Sequence, residues 1–211
     1  MNKKDSLSVV ISVFNGEKYI EDCLKSVSFA SEIIVVNNSS TDKTVEVARK
    51  YTKNIFTKPN NTMLNINKNF GFSKATGRWI LCLDADEEIT SDLREEINGV
   101  IKNSSSDIDG YWIPRKNIIF GKWIKHTGWY PDHQMRLFKN GKGKFEEKHV
   151  HEMIKVNGKT AYLKNFMLHH SSESISQFMQ KMNVYTSNEA EQLIKNGYKF
   201  NWRDSIRFPI K

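Results

Sequence analysis

The sequence predicts an α/β protein whose core is a mostly parallel sheet with flanking helices. Three observations support this: short apolar runs typical of buried parallel strands, helical repeats between those runs, and short connections. The pattern is clear over residues 1–110 and weakens over residues 111–211. We therefore expect a doubly wound, Rossmann-like first half and an irregular second half.

In the first half, strands and helices alternate in order. Residues 7–14 form an apolar, β-branched run that Asn15 and Gly16 end, and apolar residues then recur at helical spacing over 19–27. The same patterns predict strands at 33–36, 55–56 and 79–83, and helices at 45–51, 67–75 and 92–101.

The second half gives fewer signals. Residues 134–139 and 149–156 are predicted to be strands. A helix is predicted over 174–196, because Ser174 and Gln177 form a capping box and Gly197 supplies a stop.

Charge is unevenly distributed along the chain. The net charge is +8, but residues 1–110 carry 14 Lys and Arg against 16 Asp and Glu, whereas residues 111–211 carry 18 against 8. A basic half indicates an anionic partner: nucleic acid, an anionic membrane surface, or an anionic acceptor such as a phosphorylated glycolipid. A lysine-rich surface without such a partner is the alternative.

Two features bear on the compartment. Cys23 and Cys82 lie far apart in the sequence, each inside an apolar pattern, so we expect both to pack in the core. This fits a reducing compartment better than a disulfide-stabilised fold. The first residues lack a signal-peptide pattern, and no apolar run reaches transmembrane length. We expect a cytoplasmic protein.

Acidic residues follow the predicted strand at 79–83. Asp84 and Asp86, separated by Ala85, stand at the carboxyl end of this strand, where ligands bind in open α/β sheets. Both could face one divalent cation that holds a diphosphate. The alternative is an acidic helix start that includes Glu87, Glu88 and Asp92.

Three polar turns, at residues 15–17, 37–42 and 84–86, are expected to meet at this edge of the sheet. With these turns the sequence resembles the nucleotide-binding half of a GT-A-type glycosyltransferase of family two. The matching segments of the first half are 12–17 (SVFNGE), 36–42 (VNNSSTD), 68–71 (KNFG), 77–80 (GRWI) and the acidic pair. Those of the second half are similar to the branch that adds sugars to the lipopolysaccharide inner core: 121–124 (GKWI), 128–132 (GWYPD), Gln134, 136–138 (RLF), 150–152 (VHE), His169 and 181–185 (KMNVY).

The resemblance implies a nucleotide-sugar site in residues 1–110 and an acceptor-binding half in residues 111–211. The nucleotide-sugar site it implies consists of Phe14, Asn15, Glu17, Asn37, Lys68, Asp84, Asp86 and Arg136. The cofactor it implies is Mn²⁺ or Mg²⁺, held first by Asp86, then by Asp84 and His169. A structural role is the alternative for His169, and His170 is a weaker candidate.

Asn37 departs from the family pattern. The family usually has an aspartate there that accepts a hydrogen bond from uracil, and an amide can accept but also donate. A UDP-sugar remains the leading donor, with another nucleotide as the alternative. Asn37 and Asn38 could instead be turn residues that tolerate left-handed φ.

An inverting transfer needs a base for the acceptor hydroxyl. Asp132 matches the family position, and partial burial in an aromatic loop is expected to raise its pKa. Glu152 is the second candidate. Either could instead be a structural partner of Arg136.

The predicted activity is sugar transfer to a bacterial glycolipid or surface-polysaccharide acceptor. A nucleotidyltransferase would need a Gly-rich phosphate loop that residues 15–17 do not provide, and a nucleic-acid-binding module would need a stacking motif that is lacking, so we expect no nucleic-acid partner. The tail, with Lys199, Arg203, Arg207 and Lys211 among aromatic residues, predicts peripheral binding to the inner membrane face. The alternative is that this tail packs on the domain.

Overall fold

Four parallel strands form one side of the sheet. A computed structural model describes residues 6–60, 64–103, 107–126, 128–147, 152–195, 197–202 and 204. The four strands are β1 (Leu7–Val13), β2 (Glu32–Asn37), β3 (Asn54–Thr57) and β4 (Trp79–Asp84), in the spatial order β3-β2-β1-β4. Every residue of β1 is buried, which explains why its sequence is apolar except for the small residues Ser8 and Ser12.

Helices contribute to apolar clusters on both faces of this parallel block. They are α1 (Ile20–Ser26), α2 (Thr44–Ala48), α3 (Leu64–Lys74) and α4 (Ser91–Lys102). Cys23 of α1 and Leu93 of α4 belong to one buried cluster, whereas Phe72 of α3 belongs to another together with Cys82. The predicted α/β class and the packing role of both cysteines are confirmed, since each thiol is buried and unpaired with another.

Beyond β4 the sheet continues mainly through antiparallel pairs of strands. The further strands are β5 (Glu87–Ile89), β6 (Ile108–Ile119), β7 (Lys122–Trp123), β8 (Asp132–Lys139), β9 (Gly143–Lys144), β10 (Lys155–Val156), β11 (Lys159–Tyr162) and β12 (Met167–Ser172). β8 lies between β4 and β6 and is antiparallel to both, and β12 pairs with β5 at the edge. β11 is parallel to β6, and β9 and β10 form a separate pair.

Two sequence-based expectations need correction here. The acidic segment after Asp86 does not begin a helix, because Glu87–Ile89 pairs with β12, and the next helix begins only at Ser91 with Thr90 as its cap. The strand predicted at 149–156 is reduced to Lys155–Val156, and residues 148–151 lie outside the described residues.

The chain divides into two compact units, one of residues 1–118 and 122–171, and a small one of residues 119–121 and 172–211. In the small unit α5 (Ile175–Lys195) begins after the predicted capping box: Gln177 N donates to Ser174 Oγ, and Glu173 N donates to Gln177 Oε1. Among the described helices, none combines the length and the apolar content that a bilayer crossing needs. The assignment of donor and acceptor roles to residues 1–110 and 111–211 stays a prediction.

Candidate functional site

The loops that follow β1 and β2 are joined by hydrogen bonds at the carboxyl edge of the sheet. Asn15 accepts a bond from Thr41 N through Oδ1 (2.8 Å), and Glu17 accepts one from Lys43 N through Oε2 (2.9 Å). Asn15 adopts a left-handed φ of 47°. Phe14, beside it, is 46% exposed. The first motif thus orders the second loop and presents one exposed aromatic ring.

Asn37, the last residue of β2, is almost completely buried. Its Oδ1 accepts from Ser40 N at 2.9 Å and its Nδ2 donates to Thr57 Oγ1 at 3.3 Å. These contacts fit the alternative of a turn residue, but the left-handed φ belongs to Ser39, not to Asn37 or Asn38. Contact of Asn37 with a nucleobase stays a prediction.

Buried amides also connect this loop to α3. Asn38 donates from Nδ2 to Ser12 Oγ at 3.1 Å, and Asn67 donates from Nδ2 to Asn38 Oδ1 at 2.7 Å. All three side chains are buried, so each such bond satisfies a polar group that water does not reach. The helix that carries Lys68 is therefore bonded to the loop that follows Asn37.

Six charged side chains form what we call the charged cluster: Lys68, Asp84, Glu87, Arg115, Asp132 and Arg136. Lys68 Nζ lies 2.5 Å from Asp84 Oδ1, and Arg136 Nη2 lies 2.7 Å from Asp84 Oδ2. Glu87 Oε1 accepts from Arg136 Nη2 at 2.6 Å and from Arg115 Nη1 at 3.2 Å. Arg115 in turn holds Asp132 Oδ2 through Nε (2.8 Å) and Nη2 (2.7 Å). Three cations and three carboxylates thus alternate across β4, β5, β6, β8 and α3.

Ion pairing sets the charge state of the two aspartates in the cluster. Burial alone would raise the pKa of Asp84, but Lys68 and Arg136 outweigh burial and hold that pKa well below its usual range. Burial would also raise the pKa of Asp132. The positive charge of Arg115 and the hydrogen bonds from Asn117, Arg115 and Gln134 outweigh burial, so this pKa is lowered. The expectation that burial raises the pKa of Asp132 is therefore wrong, because Arg115 lies against the carboxylate.

Asp132 has partners on both oxygens. Oδ1 accepts from Gln134 Nε2 at 2.7 Å, and Oδ2 accepts from Asn117 Nδ2 at 3.1 Å in addition to Arg115. Asp132 thus forms its ion pair with Arg115. The alternative given above, a structural pairing with Arg136, names the wrong arginine. A base role for Asp132 stays a prediction, now for an ionised carboxylate of lowered basicity.

Glu152, the other candidate base, accepts from Glu147 N through Oε2 at 2.8 Å. It also lines an open pocket of about 470 Å³ together with Trp112 and Met135. Val150 and His151, the rest of its motif, lie outside the described residues. Its role stays a prediction.

Asp86 lies beside His169 of β12. Asp86 Oδ2 is 3.7 Å from His169 Nε2, and His169 Nδ1 is 2.6 Å from Asn117 Oδ1. Burial, with a contribution from nearby Arg115, lowers the pKa of His169 to about 4, so the ring is neutral at pH 7. The weaker candidate, His170, places Nε2 2.8 Å from Glu88 Oε1 and stacks on Tyr19.

The structure therefore brings Lys68, Asp84, Asp132 and Arg136 into one cluster and sets Asp86 against His169. Within the described part of the chain, no group of three or more His, Cys, Asp or Glu side chains is arranged to hold a metal ion. Metal binding by Asp84, Asp86 and His169 stays a prediction. Both oxygens of Asp84 already contact cations.

Glu87, Arg115 and Asn117 were missed by the sequence analysis. Glu87 was grouped with an acidic helix start, and β6 was not predicted. The available signal was polar residues at 115 and 117, two apart, which share a face of an extended strand. The same period places Asp132, Gln134 and Arg136 on one face of β8.

Comparison with known proteins gives a family match and several relatives. Residues 8–166 match the family model described as glycosyl transferase family 2. An uncharacterized glycosyltransferase of Rickettsia typhi is 29% identical over 206 residues, which cover 92% of this chain and 70% of the relative. The lipopolysaccharide core biosynthesis glycosyltransferase LpsC of Rhizobium meliloti is 26% identical over 204 residues, which cover 93% of this chain and 75% of the relative.

Two solved structures share the fold. Residues 1–349 of S. aureus TarS, in complex with UDP, match with a TM-score of 0.59 and 18% identity over 84% of this chain and 63% of that chain. The mannosyltransferase PcManGT of Pyrobaculum calidifontis, in complex with GDP-Man and Mn²⁺, matches with a TM-score of 0.58 and 13% identity over 92% of this chain and 65% of that chain. This chain thus spans less than two-thirds of the length of either structure.

Proposed function

The chain belongs to glycosyl transferase family 2, and on that premise we propose that it transfers a sugar, with inversion, from a nucleotide-sugar donor to a bacterial glycolipid or surface-polysaccharide acceptor. The predicted GT-A fold is confirmed by the likeness to TarS and PcManGT. The observation that carries the proposal is the edge where the loops after β1, β2 and β4 meet: it holds the charged cluster and the Asp86–His169 pair together.

A nucleoside diphosphate suits this edge. Phe14 offers an exposed ring, and Lys68 and Arg136 place two cations beside the end of β4. TarS was solved with UDP and UDP-GlcNAc, and PcManGT with GDP-Man, so proteins of this fold bind more than one nucleotide. We take a UDP-sugar as the first donor to test and a GDP-sugar as the second, because Asn37 carries an amide that can both donate and accept.

A divalent cation, Mn²⁺ or Mg²⁺, fits Asp86 and His169 better than it fits Asp84. Two ligands about 2.1 Å from one ion lie at most about 4.2 Å apart, and Asp86 Oδ2 and His169 Nε2 are 3.7 Å apart. His169 is neutral, as a ligand must be. When bound, such an ion would neutralise charge on the leaving diphosphate. Asp84 instead fixes Lys68 and Arg136 where they can approach the same phosphates.

Asp132 is our first candidate for the base, with Glu152 second. In an inverting transfer the base takes the proton of the acceptor hydroxyl. The hydroxyl oxygen bonds to the anomeric carbon of the donor sugar while the bond between that carbon and the diphosphate breaks. Asp132 is ionised at neutral pH, because Arg115 outweighs burial and lowers its pKa. It can therefore accept a proton without first losing one, although the same pairing weakens it as a base.

A glycolipid acceptor would be presented at a membrane. The relative LpsC acts in lipopolysaccharide core biosynthesis by its name, and the second half of this chain is basic. In the small unit, α5 exposes Ile175, Met179 and Met182, and the tail exposes Phe200 and Trp202. Arg203, Arg207 and Lys211 lie outside the described residues. Exposed apolar side chains beside lysines support binding to an anionic surface.

The test is nucleotide release and product formation with a panel of UDP- and GDP-sugars, with lipopolysaccharide-core oligosaccharides as acceptors, in Mn²⁺ and in EDTA. We expect release with one donor class, stimulation by acceptor, and loss in EDTA. Asp86→Asn should abolish transfer, whereas Asp22→Asn, an exposed aspartate on α1, should not change it. No release with any donor, or full activity of Asp86→Asn, would contradict the proposal.

A further inference from the structure

Asn117 of β6 connects three parts of the candidate site through one buried amide. The residue is 1% exposed. Its Oδ1 lies 2.6 Å from His169 Nδ1, and its Nδ2 donates to Asp132 Oδ2 and to Trp129 O, each at 3.1 Å. A candidate metal ligand, a candidate base and the backbone carbonyl of Trp129 therefore contact the same side chain.

These contacts allow one orientation of the amide. Both hydrogens of Nδ2 are directed at acceptors that cannot donate, a backbone carbonyl and an ionised carboxylate. A flipped amide would set its own carbonyl oxygen against both of them. Oδ1 must therefore face His169, and since Oδ1 only accepts, His169 Nδ1 must carry the hydrogen.

The tautomer of His169 follows from the amide. A neutral ring carries one hydrogen, so a hydrogen on Nδ1 leaves Nε2 with an unshared electron pair. That nitrogen lies 3.7 Å from Asp86 Oδ2, longer than a hydrogen bond, as expected when no hydrogen lies between the two atoms. An electron pair and a carboxylate oxygen are thus held close together, an arrangement that a cation stabilises.

We propose that Asn117 is a positioning residue that fixes the Nε2-unprotonated tautomer of His169 toward Asp86 and ties that ring to Asp132 and to the loop of Trp129. The proposal rests on the proposed function, because it assigns Asn117 to the metal-ligating role given there to His169. Groups that hold the second nitrogen of a ligating histidine typically change metal affinity by about 10–100-fold when they are lost.

Long-range ¹H–¹⁵N NMR of the His169 ring in the metal-free protein tests the tautomer directly. We expect the hydrogen on Nδ1 in the wild type and a mixture of tautomers in Asn117→Leu. The signal is assigned with His169→Gln. A hydrogen on Nε2 in the wild type would overturn the proposal, whatever the activity of the enzyme.

Mn²⁺ affinity, followed by the electron paramagnetic resonance signal of free Mn²⁺ in the presence of UDP, tests the metal role. We expect Asn117→Leu to weaken binding about 10–100-fold. Asn117→Asp keeps an acceptor for Nδ1 and should keep the hydrogen there in the NMR spectrum, but it sets a carboxylate oxygen against Asp132 Oδ2 and Trp129 O and should therefore lower the melting temperature. The matched control is Asn140→Leu, which also removes an amide that donates to two carbonyls, those of Ala75 and Gly77, and should leave Mn²⁺ affinity unchanged.

Wild-type affinity in Asn117→Leu, or an equal loss of affinity in Asn117→Leu and the control Asn140→Leu, would overturn the proposal. Thermal unfolding of all three variants shows whether a loss of affinity merely follows a loss of stability. Failure of the proposed function gives a different result: His169→Gln would then bind Mn²⁺ like the wild type while the NMR spectrum still placed the hydrogen on Nδ1.

Discussion

Replacement of Glu87 by glutamine removes one charge from the centre of the charged cluster. Glu87 is fully buried, and its Oε1 accepts from Arg115 and Arg136 while its Oε2 accepts from Asp84 N at 3.0 Å. A glutamine amide has one oxygen and one NH₂ group. In either orientation the NH₂ group faces a donor: the Asp84 amide in one, the two guanidinium groups in the other.

The expected cost follows from this geometry. Removing one partner of a buried ion pair typically destabilises a protein by about 3–5 kcal/mol, because the remaining charge stays buried and unbalanced. In a domain of 150–250 residues each kcal/mol lowers the melting temperature by about 2–4 °C, so Glu87→Gln should lower it by about 6–20 °C. Urea unfolding and scanning fluorimetry measure both quantities.

Glu95→Gln is the matched control, since Glu95 is an exposed glutamate on α4. Exposed substitutions of this kind change stability by about 0.5 kcal/mol or less. Equal stability of Glu87→Gln and Glu95→Gln would refute the argument that the two arginines depend on Glu87. A loss seen only in transfer activity, without a change in unfolding, would also refute it, because the predicted effect acts on the fold.

Three further predictions concern other parts of the chain. The pKa of Asp132 is lowered because Arg115 outweighs burial, so its carboxylate contributes stability that is present above the unfolded-state pKa of about 3.9 and is lost as pH falls further. Urea unfolding of Asp132→Asn should therefore depend less on pH below about pH 5 than unfolding of the wild type does. An unchanged pH dependence would contradict this. Gly71→Ala should destabilise the protein, because a Cβ there would collide with one valine of β1 and one of β2. At Gly99 on α4 a Cβ meets nothing within 4 Å, so Gly99→Ala should stabilise the protein by about 0.5–1 kcal/mol. The opposite order of melting temperatures would refute the packing account. Anionic liposomes should sediment the protein in low salt but not in high salt, less so after Phe200→Ser and Trp202→Ser, and equal pelleting with neutral vesicles would rule out the charge argument.

The central strands could be predicted because their information is local. β1 and β4 are almost entirely apolar and are followed by polar turns, and burial on both faces of a parallel sheet favours such runs. The edge strand β5 has no such signal. Glu87–Ile89 contains two glutamates, and only its pairing with β12, some eighty residues later, makes it a strand.

The partners inside the site could not be predicted for the same reason. The buried position of Glu87 depends on Arg115 of β6 and Arg136 of β8. These arginines lie beside Glu87 because β6 and β8 pair antiparallel within the same sheet, which local sequence patterns do not reveal. The error on Asp132 has this origin as well: its partial burial was anticipated, but Arg115 was not placed against it, and the ion pair outweighs burial in setting the pKa.

The two aspartates of the acidic motif, alike in sequence, have different surroundings in the fold. Asp84, the last residue of β4, contacts Lys68 and Arg136, and these pairs belong to a cluster in which three cations balance three carboxylates. Asp86 lies past the end of the strand, with its Oδ2 3.7 Å from Nε2 of His169, the nitrogen that we propose Asn117 leaves unprotonated. A cation bound at Asp84 would have to displace one ammonium and one guanidinium group, whereas the side chain that faces Asp86 Oδ2 at 3.7 Å is an imidazole. For this reason we propose Asp86 and His169, not Asp84, as the metal ligands, and we propose that Asp84 orders Lys68 and Arg136 for contact with the phosphates.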